Sequence, residues 1–194
     1  NLESILIMRH EFILIALAVI ALICEIAFDN KNKERIIPVV VFLFFVNAII
    51  GFLPIETGSL FGGMYNTSEM IILMKNILNL GVLVVFIQSV GWLKTNKVGN
   101  DNLGGYFFIL ISSLIGMNFM ISSGGFLMFY IGLELATIPV AALVASEKLK
   151  ERSGEAGVKL ILSAALSSGI LLFGISILYG TTGSLYFGNI IQSF

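Results

Sequence analysis

Apolar residues in this chain fall in long, nearly unbroken runs. Six stretches, at about 11–28, 36–53, 70–93, 104–121, 125–145 and 155–180, match the roughly twenty residues that carry a helix across a bilayer. Runs such as Phe12 to Cys24 and Ile36 to Leu53 show none of the ten-residue alternation of a membrane β-barrel. The pattern predicts an all-α, polytopic transmembrane bundle of about six spanning helices. Between the second and third runs, Pro54 to Glu69 is polar and glycine-rich, with Gly58, Gly62 and Gly63 around Phe61, and predicts an ordered turn packed on the rim. In the sixth run, Ser163/Ser167, Ala164/Ser168 and Ala165/Gly169 repeat small residues at a spacing that lets another helix approach closely.

Composition agrees with the pattern: 57% of residues are hydrophobic, 12% are charged, and mean hydropathy is +1.00. A soluble domain carries about twice that charge. The bilayer is therefore the first partner, and a formal net charge of −1 leaves no basic face for nucleic acid. Where the charges sit is more telling. The connections after helices one, three and five hold Lys31, Lys33, Arg35, Lys94, Lys97, Lys148, Lys150 and Arg152, and those after two, four and six hold no Lys or Arg. By the positive-inside rule this predicts the connections after helices one, three and five in the cytoplasm and the N-terminus on the opposite side, with Arg9 a weak exception. The one cysteine, Cys24, lies in an apolar run and has no partner in the chain for a disulfide or a CxxC pair.

Against this background Glu134 stands out, inside the apolar run from Gly125 to Ala145. An acid at that depth marks a functional site, because hydrocarbon penalises its charge unless water or a partner compensates. Pro139, five residues on, removes an N–H from the helix ladder and predicts a kink with a polar foothold for water. Lys159, near the start of helix six, is the second proton-handling candidate, since burial makes a lysine easy to deprotonate. By helical rise the two lie at depths about 10 Å apart, too far for a direct salt bridge. Elsewhere, Glu11 and Glu25 flank helix one and read as interfacial, and Lys75 reads as a side chain snorkelling to the interface. Glu155 suits a helix N-terminus, and Asn76, Asn79, Gln88 and Asn118 suit interhelical hydrogen bonding. His10 has no second ligand at metal-binding spacing, and no dinucleotide, P-loop, haem or Ser-His-Asp pattern occurs.

The stretch Phe129-Tyr130-Ile131-Gly132-Leu133-Glu134-Leu135, followed by Ile138-Pro139 and Ala142-Leu143-Val144-Ala145, resembles the fifth helix of antiporter-like subunits of respiratory complex I. Arg152 to Lys159, Leu162 to Gly169 and Leu178-Tyr179-Gly180 sharpen the resemblance to subunit N. The resemblance implies that Glu134 and Lys159 belong to a chain of charged groups relaying protons near the membrane midplane. It implies further relay lysines on helices following Phe194, and with them an incomplete antiporter-like fold. Residues 1–103 would be peripheral helices with the outer loop, and 104–194 the start of the first antiporter-like repeat. A start at Asn1 rather than Met adds the expectation of an N-terminal fragment of a longer protein. The implied activity is proton export in a bacterial inner membrane, driven by NADH oxidation and quinone reduction. NADH, flavin, iron–sulfur clusters and quinone would belong to the wider complex and none to this chain, whose partners would be other membrane-arm subunits. The alternatives are a subunit of a multisubunit cation/proton antiporter and a non-transporting structural subunit.

Overall fold

The computed structural model describes residues 6–28, 35–54, 56–95, 103–146 and 151–193. Along the chain run α1 (Arg9–Ala27), α2 (Ile36–Ile50), β1 (Gly58–Leu60), a 3-10 turn (Phe61–Gly63), β2 (Tyr65–Thr67), α3 (Glu69–Thr95), α4 (Leu103–Ile121), α5 (Phe126–Ala145), α6 (Glu151–Thr182) and α7 (Phe187–Ser193). The expected all-α bundle is what forms. Five of these helices, α1, α3, α4, α5 and α6, are long and apolar enough to cross a membrane.

The expected second span is shorter than its apolar run. At 15 residues α2 is about 22 Å long, against a hydrocarbon core of about 30 Å. It ends where another element satisfies its terminal carbonyls: the Arg9 guanidinium of α1 donates to the Ile50 and Leu53 carbonyls at 3.0 and 2.9 Å. Asn76 of α3 donates to the Gly51 carbonyl at 2.9 Å, the interhelical role expected of it. At the other extreme, α6 spans 32 residues, about 48 Å, starting ahead of its apolar run.

Helices α1 to α4 enclose the core. Leu14, Phe44, Phe86, Phe107, Ile111 and Leu114 are fully buried there. Phe86 packs between Phe44, tilted to it, and Phe107, edge-on to it, with ring centroids 4.7 and 5.0 Å away. Because lipid is as apolar as these side chains, such close contact, rather than water exclusion, holds the helices together. The seam between α4 and α5 is closer still, with Gly116 against Ala136 and Gly132 against Met120. Ser113 crosses the same seam to donate to the Ala136 carbonyl at 2.8 Å.

The segment expected as an ordered turn is a β-hairpin with Gly58 opposite Thr67 and Leu60 opposite Tyr65. Its turn uses positive φ at Phe61, Gly62 and Gly63. The hairpin backbone then ties down the α4–α5 connection, with Asn66 N donating to Ser122 O and Gly124 N to Met64 O, both at 2.7 Å. That connection in turn holds the α6–α7 turn through Phe126 N to Leu185 O and Phe187 N to Gly124 O. Of the basic residues on which the charge asymmetry rests, Lys31, Lys33, Lys97, Lys148 and Lys150 lie outside the described residues.

Candidate functional site

Glu134 sits eight residues into α5, about 12 Å along a helix about 30 Å long. Gly132 and Ala136 face α4, so helical geometry places Glu134 on the other side, the side of Ala145, which meets Gly157 of α6. The side chain is half-buried. Its Oε1 is buried with no hydrogen-bond partner among the described residues. A carboxylate in that position is costly unless water or a cation reaches it.

The helix around it is locally weakened. Pro139 has no N–H to offer the Leu135 carbonyl, and α5 nevertheless continues to Ala145 as one helix. The Thr137 hydroxyl turns back to the Leu133 and Glu134 carbonyls, at 3.0 and 3.4 Å, a contact that tends to bend a helix.

Lys159 is not brought to Glu134. Its side chain is 74% exposed and pairs with Glu155 one turn earlier on α6. Gly157 marks where α6 passes Ala145, so Lys159 lies about 13 Å along the bundle axis from Glu134. Glu155, expected simply as a helix-start acid, is the partner that holds it.

Two expectations are corrected by the structure. Glu11 and Lys75, read as interfacial and snorkelling, are each 1% exposed and form a buried ion pair of 2.7 Å. The Tyr65 hydroxyl accepts from Lys75 at 2.8 Å and donates to Glu11 at 2.9 Å, closing a ring of three hydrogen bonds between α1, α3 and β2. Burial, then the Glu11 carboxylate, hold the Tyr65 phenol well above its usual range, so it stays a neutral donor. One signal could have revealed the pair: opposite charges a few residues inside two helices that start from the same side of the membrane. Glu25 is likewise not a simple interface acid, since its carboxylate accepts from Gly104 N at 2.6 Å, at the N-terminus of α4.

Spanning helices, a buried ion pair and a half-buried acid in mid-span define a polytopic membrane protein with ionisable groups in its interior. The family described as NADH:quinone oxidoreductase/Mrp antiporter, TM, matches residues 123–194, the region that holds Glu134, Pro139 and Lys159. NADH-quinone oxidoreductase subunit N of Phocaeicola vulgatus is 40% identical over 190 residues, covering 98% of this chain and 40% of that protein. Its counterpart in Azobacteroides pseudotrichonymphae is 40% identical over 192 residues, with the same coverage. Among solved structures, respiratory complex I from Thermus thermophilus with bound aureothin contains a chain that superposes with a TM-score of 0.71 at 20% identity, over 92% of this chain and 38% of that one. The membrane-bound sulfane sulfur reductase, an archaeal respiratory membrane complex, gives 0.66 at 18%, over 98% and 39%. The chain belongs to the antiporter-like subunit N family of NADH-quinone oxidoreductases, as its α5 and α6 motifs led us to expect, and it spans about two-fifths of the length of those curated relatives.

Proposed function

We propose that this chain is part of a proton-translocating membrane-arm subunit of an NADH:quinone oxidoreductase, with Glu134 as a proton-binding site. The observation that carries this reading is the Glu134 carboxyl itself: mid-span, half-buried and with a buried oxygen that no described residue satisfies. A carboxyl so placed depends on water or a cation to compensate its charge, so their arrival and departure are the means of switching it. Pro139 and Thr137 supply the weak point in α5 through which water reaches it. Lys159 acts with Glu134 only through water or after its pair with Glu155 is broken, since the two lie well beyond contact.

In this reading α4 to α6 open the antiporter-like repeat and the helices of 1–103 are peripheral. NADH oxidation, flavin, iron–sulfur clusters and quinone reduction are assigned to other subunits of the assembly. Among the described residues no three His, Cys, Asp or Glu side chains gather as a metal site. The membrane is the bacterial inner membrane, with the N-terminus and hairpin on the periplasmic side.

Glu134→Gln in the full-length subunit tests the reading. We expect the complex to assemble and the ratio of protons exported to NADH oxidised to fall in membrane vesicles. An unchanged ratio would reduce Glu134 to a structural residue. The family description also covers Mrp antiporters, which supports a cation/proton antiporter subunit as the second reading. Purifying the tagged full-length subunit in mild detergent separates the two. NADH-dependent quinone reduction with co-eluting flavin places it in the respiratory complex, whereas a colourless assembly without that activity points to the antiporter.

A further inference from the structure

The buried faces of α1, α3 and α4 all change character towards the hairpin. On α1 the fully buried Leu14 is followed in that direction by Glu11, on α3 Phe86 and Leu83 give way to Asn79 and Lys75, and on α4 Leu114 gives way to Asn118 and Ser122. The bundle therefore carries a polar layer above its apolar one, capped by Tyr65 of β2. Several groups in that layer lack partners: both amide atoms of Asn79 and of Asn118, and the hydroxyls of Ser122 and Thr67, are buried with no hydrogen bond to any described residue. The Ser122 and Thr67 hydroxyls lie near enough to the Tyr65 hydroxyl to influence it without completing a bond. Unsatisfied buried polar groups in this number are where proteins hold ordered water, each molecule making about three hydrogen bonds. Thr67 also lines an open cleft at the rim together with Thr57, Gly58, Ser68, Glu69 and Met70.

We propose that Glu11, Lys75 and Tyr65 form a second proton-exchange site, hydrated, opening to the hairpin side past Thr67, and separate from Glu134. The ring of hydrogen bonds defines the transfer. Lys75 passes a proton to the Tyr65 oxygen as the phenolic proton moves to Glu11 Oε2, leaving a neutral amine and a neutral carboxyl. The amine then takes a proton from water arriving past Thr67 and the hydroxide left behind departs to the hairpin side, so one proton has been taken up and rests on Glu11. The reverse sequence releases it to the same side. Other titratable groups near the site are Arg9 of α1, bound to the Ile50 and Leu53 carbonyls, His10 of α1, buried beside Gly51 and Asn76, and Glu69 at the start of α3, which lines the rim cleft beside Thr67. From α4 and α2 come only neutral groups, Asn118, Ser122 and Asn47.

The test is pH-titrated infrared difference spectroscopy of the purified native assembly containing the full-length subunit. The expected result is a protonated-carboxyl band that disappears in Glu11→Gln and whose midpoint moves by about one pH unit or more in Lys75→Met. The midpoint also moves in Tyr65→Phe, while Glu134→Gln leaves band and midpoint as they were. A spectrum that Glu11→Gln does not change, or one with no titrating carboxyl band lost in it, overturns the proposal and leaves a fixed structural clamp. Should Glu11→Gln fail to assemble, Tyr65→Phe decides, because it keeps the ion pair and the shape: an unmoved midpoint there also overturns the proposal. Proton export does not enter this measurement, so failure of the Glu134 reading and failure of this one are distinguishable.

Discussion

A Cβ on Gly116 would press on the Ala136 nitrogen and lie 2.7 Å from the Gly132 carbonyl oxygen, closer than real contacts allow, and all three atoms in play are backbone or fixed to it. Overpacking of that kind costs about 1–3 kcal/mol. Gly116→Val should therefore lower the thermal midpoint of the assembled complex, whereas Gly81→Ala, with nothing within 4 Å of the added methyl, should not. Equal behaviour of the two variants would mean that the α4–α5 seam is looser than its geometry. At this scale the sequence was a good guide to depth and a poor one to partners. The depth of Glu134 followed from counting apolar residues. The Glu11–Lys75 pair did not, because a charged side chain near a helix end ordinarily escapes to the interface and the sequence does not show which helix ends adjoin. The exposed azimuth of Lys159 was hidden for the same reason, since counting gives position along a helix but not which neighbour the side chain meets.

Within an element, the apolar runs located five long helices to within a few residues, because hydrocarbon demands that each run satisfy its own backbone. The end of α2 escaped this reading. Ile36 to Leu53 is apolar throughout, and the side chain that accommodates the early stop, Arg9, lies 41 residues from Ile50. The short α7 was also unanticipated. On α5 the proline has a testable effect. Pro139→Ala restores a donor for the Leu135 carbonyl, so amides between Thr137 and Ala141 should exchange more slowly with deuterium in the assembled complex than they do in the parent. Unchanged exchange there would locate the weakness of α5 elsewhere.

For the whole molecule, orientation is the property that the buried charges depend on. With the hairpin side facing the periplasm, a membrane-impermeant maleimide should label Ser59→Cys in intact cells and Arg152→Cys only after the membrane is opened. The opposite pattern would invert the proposed topology and with it the side from which protons reach Tyr65. Leu162, Leu166, Ile170, Phe173 and Ile177 of α6 are exposed, so the bundle of described residues leaves that apolar face to lipid or to further helices.

The shortness of α2 has a further consequence, an electrical one. A bilayer that thins to meet a helix of about 22 Å drops its voltage over that distance instead of about 30 Å, so the field beside α2 is steeper by about a third. Moving one charge across the full potential is worth about 2.3 kcal/mol per 100 mV. A proton entering at Tyr65 and resting on Glu11, near the thinned edge, would cross a larger fraction of that potential per ångström than one travelling an equal distance along α5. Where the bilayer does thin to α2, the Arg9 tie that ends this helix would make the Glu11 corner more voltage-sensitive than the Glu134 site.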